Sequence, residues 1–497
     1  MIDNTSLISE TGTSTKPEDQ KGFKTWRLFT ITLIAFCDII VFFQRAVPSI
    51  VSEPMAESYG VPTNDLSIFS SMFFYPYAII QPFAGLLADV MDPRFLIGTC
   101  SLMAAVGSLM CGLSKTLFVG CIGRLLVGIG SGPIYVSACR SCANWFSLDQ
   151  YSRSVGVFCA FAGCGGLIAQ GPFSIVADLL GWRWCFFLVS IFGFVASTLT
   201  LIFVRGNPIA WGYSPVNSET ANNTSTMSMK EKMKQLGRNF ITVIKNFSFW
   251  MVGLYNLGIN GPFFNINGMW GGPYLKDVYG YSIVQMGNIM MAISIGNVVG
   301  ALVIPFVAEL FNTRKWVVFW SSLIATLCLV PFVILENIPT VAIVALFFTY
   351  AVFSNSMTNV AYPMCREYFH ASVAGSAVGC NNLYAYISTI AYQIGTGKWL
   401  AKYEIEENPG HYSPLGYKIA LWALSVASSV FGTFVIIFAD DTRGKKAKKY
   451  SPLNGEGNPS VSINGLQSVN LLASGANYES LDGKELAPTL PIISTLE

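Results

Sequence analysis

An ionisable side chain inside an otherwise apolar stretch is costly, so such residues come first as functional candidates. Asp38 and Arg45 stand seven residues apart in ITLIAFCDIIVFFQRAVPS. On a helix that spacing puts both on one side, about 10 Å apart along the axis. Arg45 offers a planar fork that fits a carboxylate or a phosphate. Its alternative is a helix-end arginine snorkelling to an interface. Asp38 is a candidate proton-coupling residue, or it pairs with Arg45 or a neighbouring helix and stays charged. Arg124 is the other base in an apolar run, as a ligand contact or a hydrogen-bond hub. Amides supply the remaining polarity: Asn256, Asn260, Asn265 and Asn267 in one run, Asn355 and Asn359 in a second, Asn381 and Asn382 in a third. Tyr75, Tyr77, Gln81, Tyr384 and Gln393 are further lining candidates, with packing the commoner role for the aromatic ones.

These residues point away from several chemistries. His370 and His411 are far apart, and Cys139 and Cys142 form a lone CxxC without a second pair, so neither a metal nor any other cofactor is expected. HExxH, GxSxG and nucleotide-loop motifs are absent from the sequence, which argues against an enzyme. A net charge of +2 gives no basic face for nucleic acid.

The elements that must position the candidates are long apolar helices. Of 497 residues, 52% are hydrophobic and 12% charged, against about 25% charged in a typical soluble domain. A bilayer-spanning helix takes roughly 20 apolar residues. Segments of that kind fall near 27–50, 67–88, 94–114, 116–138, 153–177, 184–204, 248–271, 282–305, 315–335, 338–360, 372–396 and 416–438. They imply an all-α membrane protein with the lipid bilayer as its solvent. A polar stretch, 205–247, containing SETANNTSTMSMKEKMK, separates two sets of six. The division expected is 1–26 as a leading segment, 27–204 and 248–438 as six-helix bundles, 205–247 as a linker, and 439–497 as a disordered tail.

Lys and Arg set the expected orientation. With both termini cytoplasmic, that side holds Arg94, Arg140, Arg205, Lys230, Arg238, Arg314, Lys315 and Arg366 among others. The opposite side holds Lys115, Arg183, Lys276, Lys398, Lys402 and Lys418. The glycosylation triplets at Asn4, Asn222, Asn223 and Asn246 then face the cytoplasm and are expected to stay unused.

The sequence also repeats itself. GLLADVMDPR follows the second segment and VAELFNTRK follows the eighth. Asp89 and Glu309 close their helices, and Arg94 and Arg314 come five residues later. With GRLLVGIGSG (Gly123–Gly132), WFSLDQYSR (Trp145–Arg153), GWRWCFF (Gly181–Phe187) and WGGPYL (Trp270–Leu275), this order of motifs resembles the major facilitator superfamily across roughly residues 25–440. Gly85, Asp89 and Arg94 fit that family's loop motif, while Val90 and Asp92 depart from it, which implies a weaker hinge.

The resemblance implies twelve transmembrane helices in two six-helix halves, alternating access, and a monomer. It implies a cavity lined by helices one, four, seven and ten, with Arg124 in proton coupling or substrate contact. It makes Gly85, Asp89, Arg94, Glu309 and Arg314 gating residues, unless they only cap helices. Arg45 resembles a helix-one arginine of organic-anion and organophosphate members. No membrane-embedded base is expected in the second half, so a carboxylate, an amino acid or a dipeptide fits better than a sugar phosphate. The expected substrate-binding set is Arg45, Arg124, Asn256, Asn260, Asn355 and Asn381, with Asp38 for a coupled proton. A facilitator for neutral sugars and a non-transporting nutrient receptor of the same fold are the alternatives. Asp3–Ile8, Tyr450–Leu453 and Tyr478–Leu481 match short signals read by clathrin adaptors, so the expected membrane is endolysosomal or the plasma membrane. Lysosomal dipeptide carriers are a looser resemblance.

Overall fold

The computed structural model describes residues 22–213, 216, 229–354, 357–369, 371–406 and 408–442. The adaptor-type signals at both ends and Asn355 lie outside these. Each of the twelve apolar segments is helical over most of its described residues. Among those residues, nine helices are long and apolar enough to cross a membrane. Segments two, seven and eleven are not among the nine. Segment two breaks between Leu66–Ser71 and Phe74–Val90. Segment seven, Phe247–Asn265, passes through a π turn at Ile266–Trp270 before resuming as Gly271–Tyr279. Segment eleven, Ala371–Leu400, is one helix diluted by Asn, Gln, Tyr, Ser and Thr.

Among the openings that proline leaves in the backbone ladder, two are filled by side chains of other segments. Proline has no N–H, so the carbonyl four residues earlier loses its helical partner. In segment one, Phe23–Ala46 gives way at Val47 to Pro48–Tyr59. The Gln44 carbonyl that Pro48 leaves open accepts a bond from Arg124 Nη1 at 2.8 Å. In segment seven Pro262 leaves the Gly258 carbonyl open, and Ser428 Oγ donates to it at 2.8 Å. Both repairs come from other segments, as the lack of water in a bilayer requires.

Small residues let the backbones touch. A Cβ on Gly128 of segment four would sit 2.2 Å from the Phe73 carbonyl oxygen, at the break in segment two. One on Gly272 would sit 1.7 Å from the Ser49 carbonyl oxygen, so segments one and seven meet there backbone to backbone. Other ties also cross between the halves. Asn382 Nδ2 donates to Gln81 Oε1 at 3.1 Å. Gln170 of segment five donates to Asn267 Oδ1 at 2.6 Å and accepts from Ser294 Oγ at 2.6 Å.

Two elements were not foreseen. The stretch read as a polar linker contains the helix Met229–Ile244. Between segments eleven and twelve a short antiparallel hairpin pairs Glu404–Ile405 with Asn408–Tyr412.

Candidate substrate-binding site

Arg45 sits in the last turn before the Pro48 break and is buried, with 8% exposure. Five rings surround its guanidinium carbon: Tyr77 at 4.7 Å, Phe42 at 5.1 Å, Phe73 at 5.7 Å, Tyr386 at 5.9 Å and Phe264 at 6.0 Å. Phe42, Phe73 and Tyr77 come from the first half, Phe264 and Tyr386 from the second. Tyr77 and Tyr386 meet edge-on with centroids 4.6 Å apart, so the cage closes across the seam. A cation over a desolvated ring gains about 2 kcal/mol, so the rings hold the charge without neutralising it. The Nε atom is buried and has no hydrogen-bond partner. Among the described residues no carboxylate forms an ion pair with Arg45. The Asp38 carboxyl acts on Arg45 electrostatically from beyond ion-pair distance, and a fork whose Nε stays open can take an oxyanion.

Arg124 is fully buried and shares Phe73 with Arg45, its guanidinium carbon 5.2 Å from that ring and 5.3 Å from Phe69. One N–H edge goes to the Gln44 carbonyl, while Nε and Nη2 have no partner. Asp38 lies two turns before Arg45 and is buried, with Oδ2 unpartnered. Gly165 of segment five packs on the backbone of the next residue, since a Cβ there would be 2.1 Å from the Ile39 carbonyl oxygen.

The amides divide. Asn256 and Asn381 are wholly buried, and neither the oxygen nor the nitrogen of either side chain has a partner. Asn260 is buried with Nδ2 unpartnered. Tyr362 sits beside it and within electrostatic reach of Arg45 and Tyr77, which joins Asn260 to the cage. A buried unpaired amide costs about 1–3 kcal/mol per group, and a bound ligand is one thing that can satisfy it. Asn265 and Gln393 each make one internal bond, Asn265 donating to Thr396 Oγ1 at 2.9 Å and Gln393 to the Phe264 carbonyl at 3.2 Å, and each leaves its side-chain oxygen unpartnered.

The aromatic candidates fare unequally. Tyr77 is in the cage, but Tyr75 is exposed. Tyr384 packs on Phe249, Trp250 and Gly253, away from Arg45. Its place is taken by Tyr386, two residues on and so on nearly the opposite side of the helix.

At the loops, Asp92 accepts from the Arg94 backbone N–H at 2.7 Å and caps segment three. That accounts for an acid where the family motif has glycine. Arg94 Nε donates to the Leu201 carbonyl at 2.5 Å, and Gly85 faces open space. The Asp89 side chain lies outside the described residues. In the second half Glu309 is exposed at its helix end. Arg314 pairs with Glu367 of segment ten at 2.6 Å.

A latch at the end of the bundle away from the termini had no counterpart among the sequence motifs. Glu53, at the end of segment one, faces Lys276 Nζ at 3.8 Å and His411 Nε2 at 3.7 Å. His411 Nδ1 is 2.6 Å from Asp277 Oδ1. Asp277 Oδ2 accepts from the Tyr412 backbone N–H at 3.0 Å and from Tyr417 at 2.7 Å. The Tyr412 hydroxyl reaches back to the first half, accepting from the Asn64 N–H at 2.8 Å. Burial holds this phenol well above its usual pKa, so it stays a neutral hydroxyl.

A bundle of apolar helices with a buried cation caged by rings from both parts of the chain fits a membrane transporter. The model of the Major Facilitator Superfamily matches residues 32–392, and the chain belongs to that family. The probable sulfoacetate transporter SauU of Cupriavidus necator is 25% identical over 34% of this chain and 39% of its own length. This chain therefore matches well under half of that relative. The membrane sensor protein UhpC of Salmonella typhimurium is 21% identical over 77% of this chain and 86% of its own. The crystal structure of the nucleoside transporter NupG superposes with a TM-score of 0.64 at 14% identity, covering 84% of this chain and 100% of NupG. At that identity the likeness is one of fold alone.

Proposed function

We propose that the chain is a secondary transporter that moves a small organic anion or zwitterion, such as a carboxylate, an amino acid or a dipeptide, by alternating access. The observation that carries this reading is Arg45, buried with no carboxylate at ion-pair distance in a cage contributed by both halves. An anion bound there touches both halves at once, which links binding to rocking. Asn256, Asn260 and Asn381 serve as hydrogen-bonding groups for the polar end of the ligand. Asp38 carries the coupled proton in a symport cycle. The name of SauU, given for an organic anion, supports the substrate class. The Glu53–His411–Asp277 latch acts at the non-cytoplasmic gate, and both termini are cytoplasmic. Gly85, Asp89, Arg94, Glu309 and Arg314 act at the cytoplasmic gate. The protein works as a monomer in an endolysosomal or plasma membrane, sorted by clathrin adaptors.

The test is uptake into proteoliposomes of carboxylates, dipeptides, phosphate esters and sugars, with and without a proton gradient. Saturable anion or zwitterion flux that is lost in Arg45→Ala is expected. Flux of a neutral sugar untouched by Arg45→Ala overturns the substrate class. The match to a protein named as a sensor, over 77% of this chain, favours a second reading, a nutrient receptor. Specific binding without flux for any ligand supports that one.

A further inference from the structure

The helix Met229–Ile244 has three unlike faces. At 100° per residue, Gln235, Leu236, Asn239 and Val243 form one. Val243 is fully buried, and Asn239 Nδ2 lies 3.3 Å from Ser376 Oγ at the start of segment eleven. That face belongs to the bundle. The second carries Met233, Phe240, Ile241 and Ile244, all exposed. The third carries Lys230, Lys234 and Arg238, one per turn and exposed. Among the described residues none of these three cations forms an ion pair.

The depth of the helix is set by segment seven. Only Lys245 and Asn246 separate the two. Asn246 Oδ1 caps segment seven by accepting from the Phe249 N–H at 3.0 Å. Trp250 Nε1 donates to the Ile244 carbonyl at 2.7 Å and so fixes the angle between them. Phe247 and Trp250 are themselves exposed. Aromatic residues at the start of a spanning helix mark the level of the headgroups. The exposed apolar strip is therefore at the bilayer boundary, with a row of cations beside it.

We propose that Met229–Ile244 is an interfacial helix that binds anionic phospholipid headgroups through Lys230, Lys234 and Arg238. Met233, Phe240, Ile241 and Ile244 dip among the acyl chains. The occupant is lipid because the strip is continuous with the lipid-facing start of segment seven. It is anionic lipid because the adjoining row is cationic and unpaired. The bilayer thereby holds the connection between the halves at the Ser376 end of segment eleven, a lipid-sensitive hold on a helix that must move when the halves rock.

The test places the full chain in nanodiscs of phosphatidylcholine alone, or with one quarter phosphatidylserine, and follows hydrogen exchange of peptides covering 229–244. Exchange about tenfold slower with phosphatidylserine is expected, a difference that shrinks in high salt. The triple variant Lys230→Gln, Lys234→Gln, Arg238→Gln should exchange alike in both lipids. Unchanged exchange in Pro93–Leu113 shows that the variant is folded. Equal exchange of the native chain in the two lipids overturns the proposal, and so does a triple variant that keeps the difference.

Discussion

Replacing Arg124 by Met distinguishes a hydrogen-bond hub from a ligand contact when it is paired with a change at Pro48. Arg124 Nη1 donates to the Gln44 carbonyl, the group that Pro48 leaves without a helical partner. Arg124→Met should expose that carbonyl as an unsatisfied buried acceptor, worth about 1–3 kcal/mol. Removing a buried cation recovers desolvation energy of the opposite sign, so the single variant alone decides little. Pro48→Ala supplies an N–H in the helix to the same carbonyl, and in that background Arg124→Met should cost less. The interaction energy of the cycle is expected to be about 1–2 kcal/mol. It is read from unfolding of the four proteins in mixed micelles, with uptake measured in parallel. Additive effects, within about 0.5 kcal/mol, would refute the hub. Loss of uptake at normal stability would return Arg124 to the substrate.

Four further outcomes are expected. Arg45→Lys keeps the charge but loses the planar fork and the ring stacking, so the KM for an anionic substrate should rise about tenfold or more; an unchanged KM contradicts the site. Asp38→Asn should leave substrate exchange at equilibrium intact and abolish stimulation of uptake by a proton gradient, as seen in paired exchange and uptake assays. Gly272→Ala puts a methyl carbon where the Ser49 carbonyl oxygen allows 1.7 Å, so the far end should fail to close and cross-linking between positions 53 and 276 should drop sharply. Glu53→Gln removes the charge shared by Lys276 and His411; as a partly exposed pair it is worth about 0.2–1 kcal/mol, so cross-linking between cysteines placed at positions 63 and 410, which meet at the same end, should fall only a few-fold.

The apolar runs were legible in the sequence, because burial in lipid acts on each segment separately. Arg45, Asp38 and Arg124 stood out for the same reason, since a charge in an apolar run is visible without knowing its neighbours. The acid–turn–base repeat was also legible, but its contacts were not. The second-half base pairs with Glu367, and Asp92 caps segment three where the family motif has glycine.

What surrounds those charges was decided only by packing. Polar and apolar residues alternate around segment eleven without marking one face, so Tyr384 and Tyr386 look equivalent until that segment is set against segments two and seven. Pro48 marked a break in segment one, but only the depth of segment four brings Arg124 to the carbonyl it opened. Gln170 among its neighbours, and His411 between Glu53 and Asp277, join residues far apart in the chain across the two halves. Contacts of that kind depend on the rotation and depth of every helix at once, and local composition does not encode them.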